Sequence, residues 1–103
     1  MSDRPICRVG DKIEGTCNAS GGDHPRSCTG IWETGSEIGM VDGIPIVRVG
    51  DTGTTDCGHP FVAITGSLVA ECDGRYIVCI GDLVDISGGS GVTVTGSDTA
   101  SSF

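Results

Sequence analysis

Two segments of the chain carry the same pair of metal-binding residue types. In each segment a cysteine lies six residues after the aspartate of a Gly-Asp pair, and a His-Pro pair follows it. Cys17 and His24 belong to the first segment, Cys57 and His59 belong to the second, and the sequence has only these two histidines. Thiolate and imidazole suit zinc, which takes four such ligands in a closed structural site. The matched spacing therefore predicts one structural metal ion, zinc or iron, that is bound by these four residues and joins the two segments.

The local sequence favours this site and also leaves alternatives. Proline after a histidine biases the histidine towards an extended backbone, and Gly58 allows a tight turn between Cys57 and His59. Cys28 is the alternative ligand. A His-Pro pair is also typical of an exposed turn, and six cysteines would suit three disulfides in a secreted chain. A third segment has Gly88 at the equivalent position and no histidine, so no ligand is predicted there.

The other cysteines and the repeated polar residues are predicted to have structural roles. Three cysteines are expected to be small buried apolar residues: Cys7, Cys72 and Cys79. Three aspartates that follow glycine are expected to cap turns with their side chains: Asp11, Asp51 and Asp82. Arg8 and Arg48 are expected to form exposed ion pairs, which contribute little stability. Trp32 is predicted to anchor a loop.

An internal repeat supplies the elements that must position these residues. The segments PICRVGD, PIVRVGD and YIVCIGD resemble one another, and three Thr-Gly-Ser triplets end at Ser36, Ser67 and Ser97. Short β-branched runs that flank Asp-Gly pairs predict a strand, a tight turn and a second strand in each unit. The predicted fold class is therefore all-β, with units at residues 34–51, 65–82 and 95–103, the last completed by residues 1–11. The loops at residues 12–33 and 52–64 carry the Cys and His residues.

Composition and charge restrict the function. The chain has 103 residues, 18 of them glycine, and a formal net charge of -8, which predicts a single domain that gains stability from a metal, disulfides or a partner. The negative charge argues against a nucleic-acid partner and against an anionic membrane surface. The start, MSDRPICRVGD, lacks the apolar core of a signal peptide. We therefore expect synthesis in a reducing cytoplasm, which favours thiols over disulfides.

With its repeated Gly-Asp strands, Asp-Gly turns and Cys/His loops, the chain resembles the PAAR-repeat proteins from Pro5 to about Ser97. PIVRVGD stands where the family has its Pro-Ala-Ala-Arg repeat, with Ile46 and Val47 in place of the alanines. The resemblance implies a small cone-shaped domain of three pseudo-repeated units around a pseudo-threefold axis. Family members bind a metal near the vertex, commonly through more histidines than the two present here. Two cysteines would then take the place of the missing imidazoles.

The resemblance implies a virion structural protein at the distal tip of the central spike in a contractile phage tail baseplate. One monomer would cap a trimeric β-helical spike, touch the host envelope transiently during piercing, and have no enzymatic activity. Alternatives are a type VI secretion spike tip that docks an effector, a secreted disulfide module that binds a partner, and a small zinc-dependent hydrolase. A four-ligand site leaves no open coordination position for water, which disfavours the hydrolase, although Glu14 and Asp56 lie nearby in sequence.

Overall fold

The computed structural model describes residues 4–17, 26–86, 89–97 and 100–102, and it is an all-β domain. Within these ranges no residue lies in a helix, so the described chain has no helix that could span a membrane. The strands, in chain order, are β1 (Arg4–Pro5), β2 (Lys12–Cys17), β3 (Arg26–Trp32), β4 (Met40–Val41), β5 (Ile44–Pro45), β6 (Thr52–Thr55), β7 (Pro60–Ala63), β8 (Glu71–Cys72), β9 (Arg75–Tyr76), β10 (Leu83–Ile86), β11 (Gly89–Thr93) and β12 (Ser101–Ser102).

Six of these strands close into an antiparallel barrel in the order β10-β11-β2-β3-β6-β7. The barrel consists of three hairpins, β2–β3, β6–β7 and β10–β11. Burial alternates along the strands, so that alternate side chains fill the interior, as expected for a closed sheet. Complete closure leaves these six strands without an unpaired edge. The prediction of an all-β fold is confirmed, whereas closure into a barrel was not predicted.

The barrel interior is packed around two aromatic rings. Trp32 and Phe61 meet edge to face with ring centroids 4.8 Å apart and an interplanar angle of 70°. A Cβ added at Gly30 or at Gly53 would lie 2.5 Å from the Phe61 ring, so these strands approach the ring only because they carry glycine there. Trp32 ends β3 and is buried in this core. The predicted role of Trp32 as a loop anchor is therefore wrong.

Three short two-stranded ladders lie outside the barrel. β4 pairs with β5 around Asp42-Gly43, and β8 pairs with β9 around Asp73-Gly74. All four turn residues have positive φ, between 57° and 79°, which is the type I′ conformation that Asp-Gly favours in hairpins. The third ladder joins the two ends of the chain, because β1 pairs with β12.

The segments before the three Gly-Asp pairs form a closed cycle of backbone contacts. Cys7 N donates to Val78 O at 2.9 Å, Val78 N donates to Val47 O at 3.0 Å, and Val47 N donates to Cys7 O at 3.1 Å. All three residues are fully buried. Isolated bridges repeat the same cycle one position away: Arg8 with Ile46, Arg48 with Ile77, and Cys79 with Ile6. Each segment was predicted to be one strand, but its partners alternate between the two neighbouring units, and no continuous ladder forms.

Each Gly-Asp turn is closed by its aspartate side chain. Oδ2 of Asp11 accepts from Arg8 N at 2.8 Å, Oδ2 of Asp51 accepts from Arg48 N at 2.7 Å, and Oδ2 of Asp82 accepts from Cys79 N at 2.8 Å. The preceding glycines have φ between 93° and 95°. In this left-handed conformation a side chain would be strained. The prediction that these aspartates cap turns is confirmed.

The Thr-Gly-Ser triplets connect the units, and each residue has a defined task. Thr34 Oγ1 donates to Asp51 Oδ1 at 3.0 Å and accepts from Thr52 N at 2.9 Å. A Cβ at Gly35 would lie 2.7 Å from Ile46 O, so the backbones touch there. Equivalent threonine-to-aspartate bonds occur in the other units, from Thr65 to Asp82 and from Thr95 to Asp11. The three serine N–H groups each donate to an isoleucine carbonyl at 2.8 Å.

Candidate metal-binding end of the barrel

Three of the four predicted metal ligands lie at one end of the barrel, Cys17 as the last residue of β2 and Cys57 and His59 in the connection after β6. Residues 18–25 connect β2 to β3, and residues 56–59 connect β6 to β7. β3 and β6 are paired neighbours, with Gly30 opposite Thr55. The Asp-Gly hairpin β4–β5 is inserted between the other ends of β3 and β6. The barrel therefore has an upper end, which carries Cys17, Cys57 and His59, and a lower end, which carries the Asp-Gly hairpins and is called the base below.

Cys57 and His59 lie on one tight turn that Thr55 organises. Thr55 Oγ1 lies 3.1 Å from Cys57 Sγ and accepts a hydrogen bond from His59 N at 3.0 Å. Thr55 N donates to His59 O at 2.8 Å, and Gly58 N donates to Thr55 O at 2.9 Å. Gly58 has a φ of 85°, so the turn between Cys57 and His59 uses a conformation that favours glycine. Cys57 and His59 are both half-buried.

The first half of the predicted site is only partly described. Cys17 is the last residue of β2, and its backbone pairs with Arg26 at the start of β3. The side chain of Cys17 and the whole of His24 lie outside the described part of the structure. Among the described side chains, no three His, Cys, Asp or Glu residues come together to hold a metal ion. The four-residue site therefore remains a prediction, of which Cys57 and His59 are placed on one turn.

Cys28, the alternative ligand, lies close to the same turn. Asp56 N donates to Thr29 O at 2.7 Å, and Thr29 N donates to Asp56 Oδ1 at 3.3 Å, which joins β3 to the β6–β7 turn. Cys28 precedes Thr29, Cys57 follows Asp56, and both cysteines pack in the barrel core cluster. Both residues carry thiols. The described residues at this end thus carry two thiols and one imidazole, donor types that zinc accepts, but Cys28, Cys57 and His59 do not converge into a group that could hold a metal ion.

The remaining described cysteines lie at the base. Cys7 and Cys79 are fully buried, and burial raises the pKa of Cys7 to about 12 and that of Cys79 to about 11. These thiols stay protonated at neutral pH, since thiolates form only near the pKa. Cys72 was also expected to be fully buried but is half-buried, and its Sγ lies 3.7 Å from Asp73 Oδ2. Cys72 lies in the two-residue ladder of β8 and β9, outside the barrel, where fewer residues shield its side chain from solvent than shield Cys7 and Cys79.

Glu14 and Asp56, the acidic residues considered for a hydrolase, border one surface groove. The groove has a volume of about 380 Å³ and runs over β2 and β3, with Thr16, Ser27 and Cys28 among its lining residues. Both carboxylates are exposed to solvent. Asp56 also accepts the hydrogen bond from Thr29 N that joins β3 to the turn. Of the two carboxylates that line the groove, that of Asp56 therefore has a structural role, since it joins β3 to the β6–β7 turn.

Arg8 and Arg48 form the ion pairs expected from the sequence, but their partners include carboxylates of other units, which sequence reasoning did not predict. Arg48 Nη1 lies 2.8 Å from Asp73 Oδ2, which also accepts a hydrogen bond from Ser36 Oγ at 2.5 Å. The equivalent contacts join Arg8 and Ser97 to Asp42 Oδ2, at 2.9 and 2.7 Å. Arg48 is buried, so the expectation of an exposed pair is wrong for this residue. The third unit has Cys79 in place of the arginine, and Arg4 pairs with Asp82 instead, at 3.0 Å.

The contacts of Arg48 and its neighbours lower the pKa values of Asp51 and Asp73. Burial alone would raise the pKa of Asp51, but hydrogen bonds from the Arg48 side chain and backbone and from Thr34 outweigh burial and lower it. The pKa of Asp73 is lowered mainly by the Ser36 hydroxyl, with burial opposing this effect and the Arg48 charge adding to it. Both carboxylates are therefore charged at neutral pH, as the buried guanidinium requires.

Among the residues that the structure describes, the most exposed large apolar side chains lie at the base. Ile38 is 82% exposed and Leu68 is 80% exposed, and Met40 and Val69 are also exposed. All four follow Thr-Gly-Ser triplets, in the segments that lead into the Asp-Gly hairpins. Exposed apolar residues that are grouped in this way are typical of an interaction surface.

No protein-family model matches the chain, and no curated protein sequence matches it. The resemblance to the PAAR-repeat proteins therefore depends on the quoted motifs, their order and their spacing.

Proposed function

We propose that this protein is the metal-stabilised tip of a contractile phage tail, where one monomer caps the trimeric β-helical central spike. In this proposal the chain is a cone-shaped PAAR-type domain whose three units surround a pseudo-threefold axis. Residues 34–51 and 65–82 form two units, and residues 95–103 together with 1–11 form the third. The upper end of the barrel is the piercing point, and the base faces the spike.

The cyclic contacts of the three units are the observation that carries the proposal. The backbone bonds among Cys7, Val47 and Val78 place one residue of each unit in a closed ring. A single chain that repeats its contacts three times can present equivalent surfaces to three identical partner subunits. The pairing of β1 with β12 brings both chain ends into the third unit and completes this arrangement.

The distribution of exposed apolar side chains supports docking through the base. Ile38 and Leu68, which belong to two of the three units, are almost fully exposed. A stable interface buries about 800 Å² on each partner, so an interface at the base would cover both side chains. Mutual burial of such side chains contributes about 1.5–3 kcal/mol for each residue.

A metal at the upper end would stabilise a point too narrow for a hydrophobic core of its own. Cys17, His24, Cys57 and His59 would hold it, with Cys28 as the alternative to one of them. A zinc ion held by these residues would tie the β2–β3 and β6–β7 hairpins together, and metal binding supplies about 10–16 kcal/mol in small zinc domains. The contacts of Thr55 with Cys57 and His59 hold both residues on one tight turn, which supports this proposal.

Native mass spectrometry tests the docking. The chain is mixed with a purified trimeric β-helical spike protein from a contractile tail of the same genome, and we expect one copy bound to each trimer. Ile38→Asp combined with Leu68→Asp should abolish binding, because two charges then replace the apolar contacts. Ile31→Asp combined with Leu83→Asp is the matched control, since both residues are half-exposed on the barrel wall. Three bound copies for each trimer, or equal loss in both variants, would refute the proposal.

Elemental analysis tests the metal site. We expect one zinc or iron for each chain, and His59→Ala should lower both the metal content and the thermal stability, because metal binding is coupled to folding. Lys12→Ala, at an exposed position of β2, serves as the control. Unchanged metal content in both His24→Ala and His59→Ala would refute the predicted site, and loss of metal in Cys28→Ser would identify Cys28 as a ligand.

A further inference from the structure

The base contains the two dipeptides of this chain that are most prone to a spontaneous backbone rearrangement. The sequence has two Asp-Gly pairs, Asp42-Gly43 and Asp73-Gly74, and both form hairpin turns. In an Asp-Gly pair the glycine nitrogen attacks Cγ of the aspartate: a C–N bond forms, the amide proton leaves with the carboxyl OH group as water, and a succinimide ring results. Water then opens the ring at either carbonyl and gives aspartate or isoaspartate. Isoaspartate carries one extra main-chain carbon, so the turn is permanently altered.

Both turns are sterically open to this reaction. A Cβ added at Gly43 or at Gly74 would meet no described atom within 4 Å, so both glycines border open space. Solvent also reaches the aspartate side chains, with 31% exposure for Asp42 and 25% for Asp73. Protection against ring closure must therefore come from the contacts of the carboxylates.

The Asp73 carboxylate is held by side chains of the first unit. Its Oδ2 accepts from Ser36 Oγ at 2.5 Å and from Arg48 Nη1 at 2.8 Å. Ser36 and Arg48 are buried, and the pKa of Asp73 is lowered mainly by the Ser36 hydroxyl. A succinimide forms from the neutral carboxylic acid, because the carboxylate anion repels a nucleophile and has no OH group to lose as water. These contacts therefore deplete the reactive form of Asp73 and also hold the carboxyl group in place.

The Asp42 carboxylate is held in the same way by side chains of the third unit. Its Oδ2 accepts from Ser97 Oγ at 2.7 Å and from Arg8 Nη1 at 2.9 Å. Ser97 lies 55 residues from Asp42 in sequence, and Ser36 lies 37 residues from Asp73. Each carboxylate is thus secured by a hydroxyl and a guanidinium from a different repeat, and each such serine–arginine pair is called a clamp below.

We propose that the clamps suppress isoaspartate formation, so that Asp42-Gly43 and Asp73-Gly74 are latent modification sites of the folded protein. Ring closure moves Cγ towards the glycine nitrogen and removes the negative charge that both donors of the clamp bind. At Asp73 it would also deprive the buried Arg48 of a charged partner, and leaving a buried charge without its partner is strongly destabilising. The inference is independent of the proposed function, since it depends only on contacts between the units.

Ageing of the full-length chain under reducing conditions tests both turns in one sample. Folded protein at pH 7 is compared with the same protein unfolded in guanidinium chloride, and isoaspartate is located by tryptic peptide mapping. Cleavage after Arg26, Arg48 and Arg75 places the two turns in separate peptides. We expect isoaspartate to accumulate at each turn about tenfold or more slowly in the folded chain, which corresponds to about 1.4 kcal/mol in the barrier. Equal folded and unfolded rates at either turn would overturn the proposal.

Matched serine variants separate the effect of the clamps from that of folding in general. Ser36→Ala should accelerate isoaspartate formation at Asp73 and leave the rate at Asp42 unchanged. Ser97→Ala should have the opposite effect, with acceleration at Asp42 alone. Arg8→Lys, at the more exposed of the two clamp arginines, is a second variant that should also accelerate the reaction at Asp42 alone. Circular dichroism melts identify the folded variants, and equal acceleration at both turns in a folded variant, or none at the turn whose clamp is altered, would overturn the proposal.

Discussion

Replacing Asp51 with asparagine should destabilise the protein by about 3 kcal/mol. The Asp51 carboxylate is buried and accepts four hydrogen bonds: from Arg48 N at 2.7 Å, Arg48 Nε at 2.9 Å, Arg48 Nη2 at 3.1 Å and Thr34 Oγ1 at 3.0 Å. An asparagine that keeps its oxygen at the Oδ2 position turns its NH₂ group towards Nη2, which is also a donor. Breaking a buried ion pair from one side costs about 3–5 kcal/mol. The lower end of that range applies because Arg48 keeps its contact with Asp73.

Urea denaturation at pH 7 measures this effect, with Asp85→Asn as the control. Asp85 is exposed on β10, so its substitution should change the free energy of unfolding by less than about 0.5 kcal/mol. A loss of about 3 kcal/mol corresponds to a fall of about 12 °C or more in melting temperature for a domain of this size. A loss below about 1 kcal/mol in Asp51→Asn would refute the role assigned to the buried pair.

The pH dependence gives a second, independent readout of the same reasoning. The pKa values of Asp51 and Asp73 are lowered in the folded protein. Their contribution to the free energy of unfolding is therefore complete above the pKa of an unfolded-state aspartate, about 4, and is lost as the pH falls through the folded-state pKa. Wild-type stability should therefore fall in acid more steeply than that of Asp51→Asn. The difference in the free energy of unfolding between wild type and Asp51→Asn should shrink below about pH 4. A difference that stays constant with pH would contradict the lowered pKa of Asp51.

Three further outcomes follow from the packing. Gly35→Ala should destabilise the protein by more than Gly43→Ala. The new Cβ at position 35 would lie 2.7 Å from Ile46 O, whereas at position 43 it would meet no atom and only the φ of 75° disfavours alanine. Thermal melts of the two variants measure the difference. Deleting residues 1–9 should unfold the whole domain, because it removes β1 and the buried Cys7, and a melting temperature equal to that of the intact chain would contradict this. Joining the ends and reopening the chain between Asp42 and Gly43 should give a folded protein by circular dichroism, because β1 and β12 already pair.

The local features of the fold could be predicted because they depend on nearby residues. Asp42-Gly43 and Asp73-Gly74 form the hairpin turns that their sequence favours, and the aspartates after glycine cap their own turns. Strand alternation and the absence of a helical period gave the all-β class. Each of these features is decided within about four residues of the chain.

Features that depend on distant partners could not be predicted in the same way. Arg48 is buried because Asp73, which belongs to another unit, neutralises it from 25 residues away. Trp32 joins the core because Gly30 and Gly53 leave room for Phe61 beside it. The alternation of Cys28, Gly30 and Trp32 along β3 was the available signal for an inward-facing tryptophan, and it becomes readable only once β3 is known to be a strand of a closed barrel.

The same distinction applies to the predicted metal site. Cys57 and His59 lie two residues apart, so the turn that holds both could be predicted from Gly58 alone. Adding ligands from the β2–β3 connection requires the pairing of β3 with β6, a contact between strands about 25 residues apart in sequence. That pairing also brings Cys28 towards the β6–β7 turn through the two bonds between Thr29 and Asp56. The repeat predicts which residue types can bind a metal, whereas the strand pairing decides which of them lie near one another, and Cys28, Cys57 and His59 do not converge into a metal-binding group.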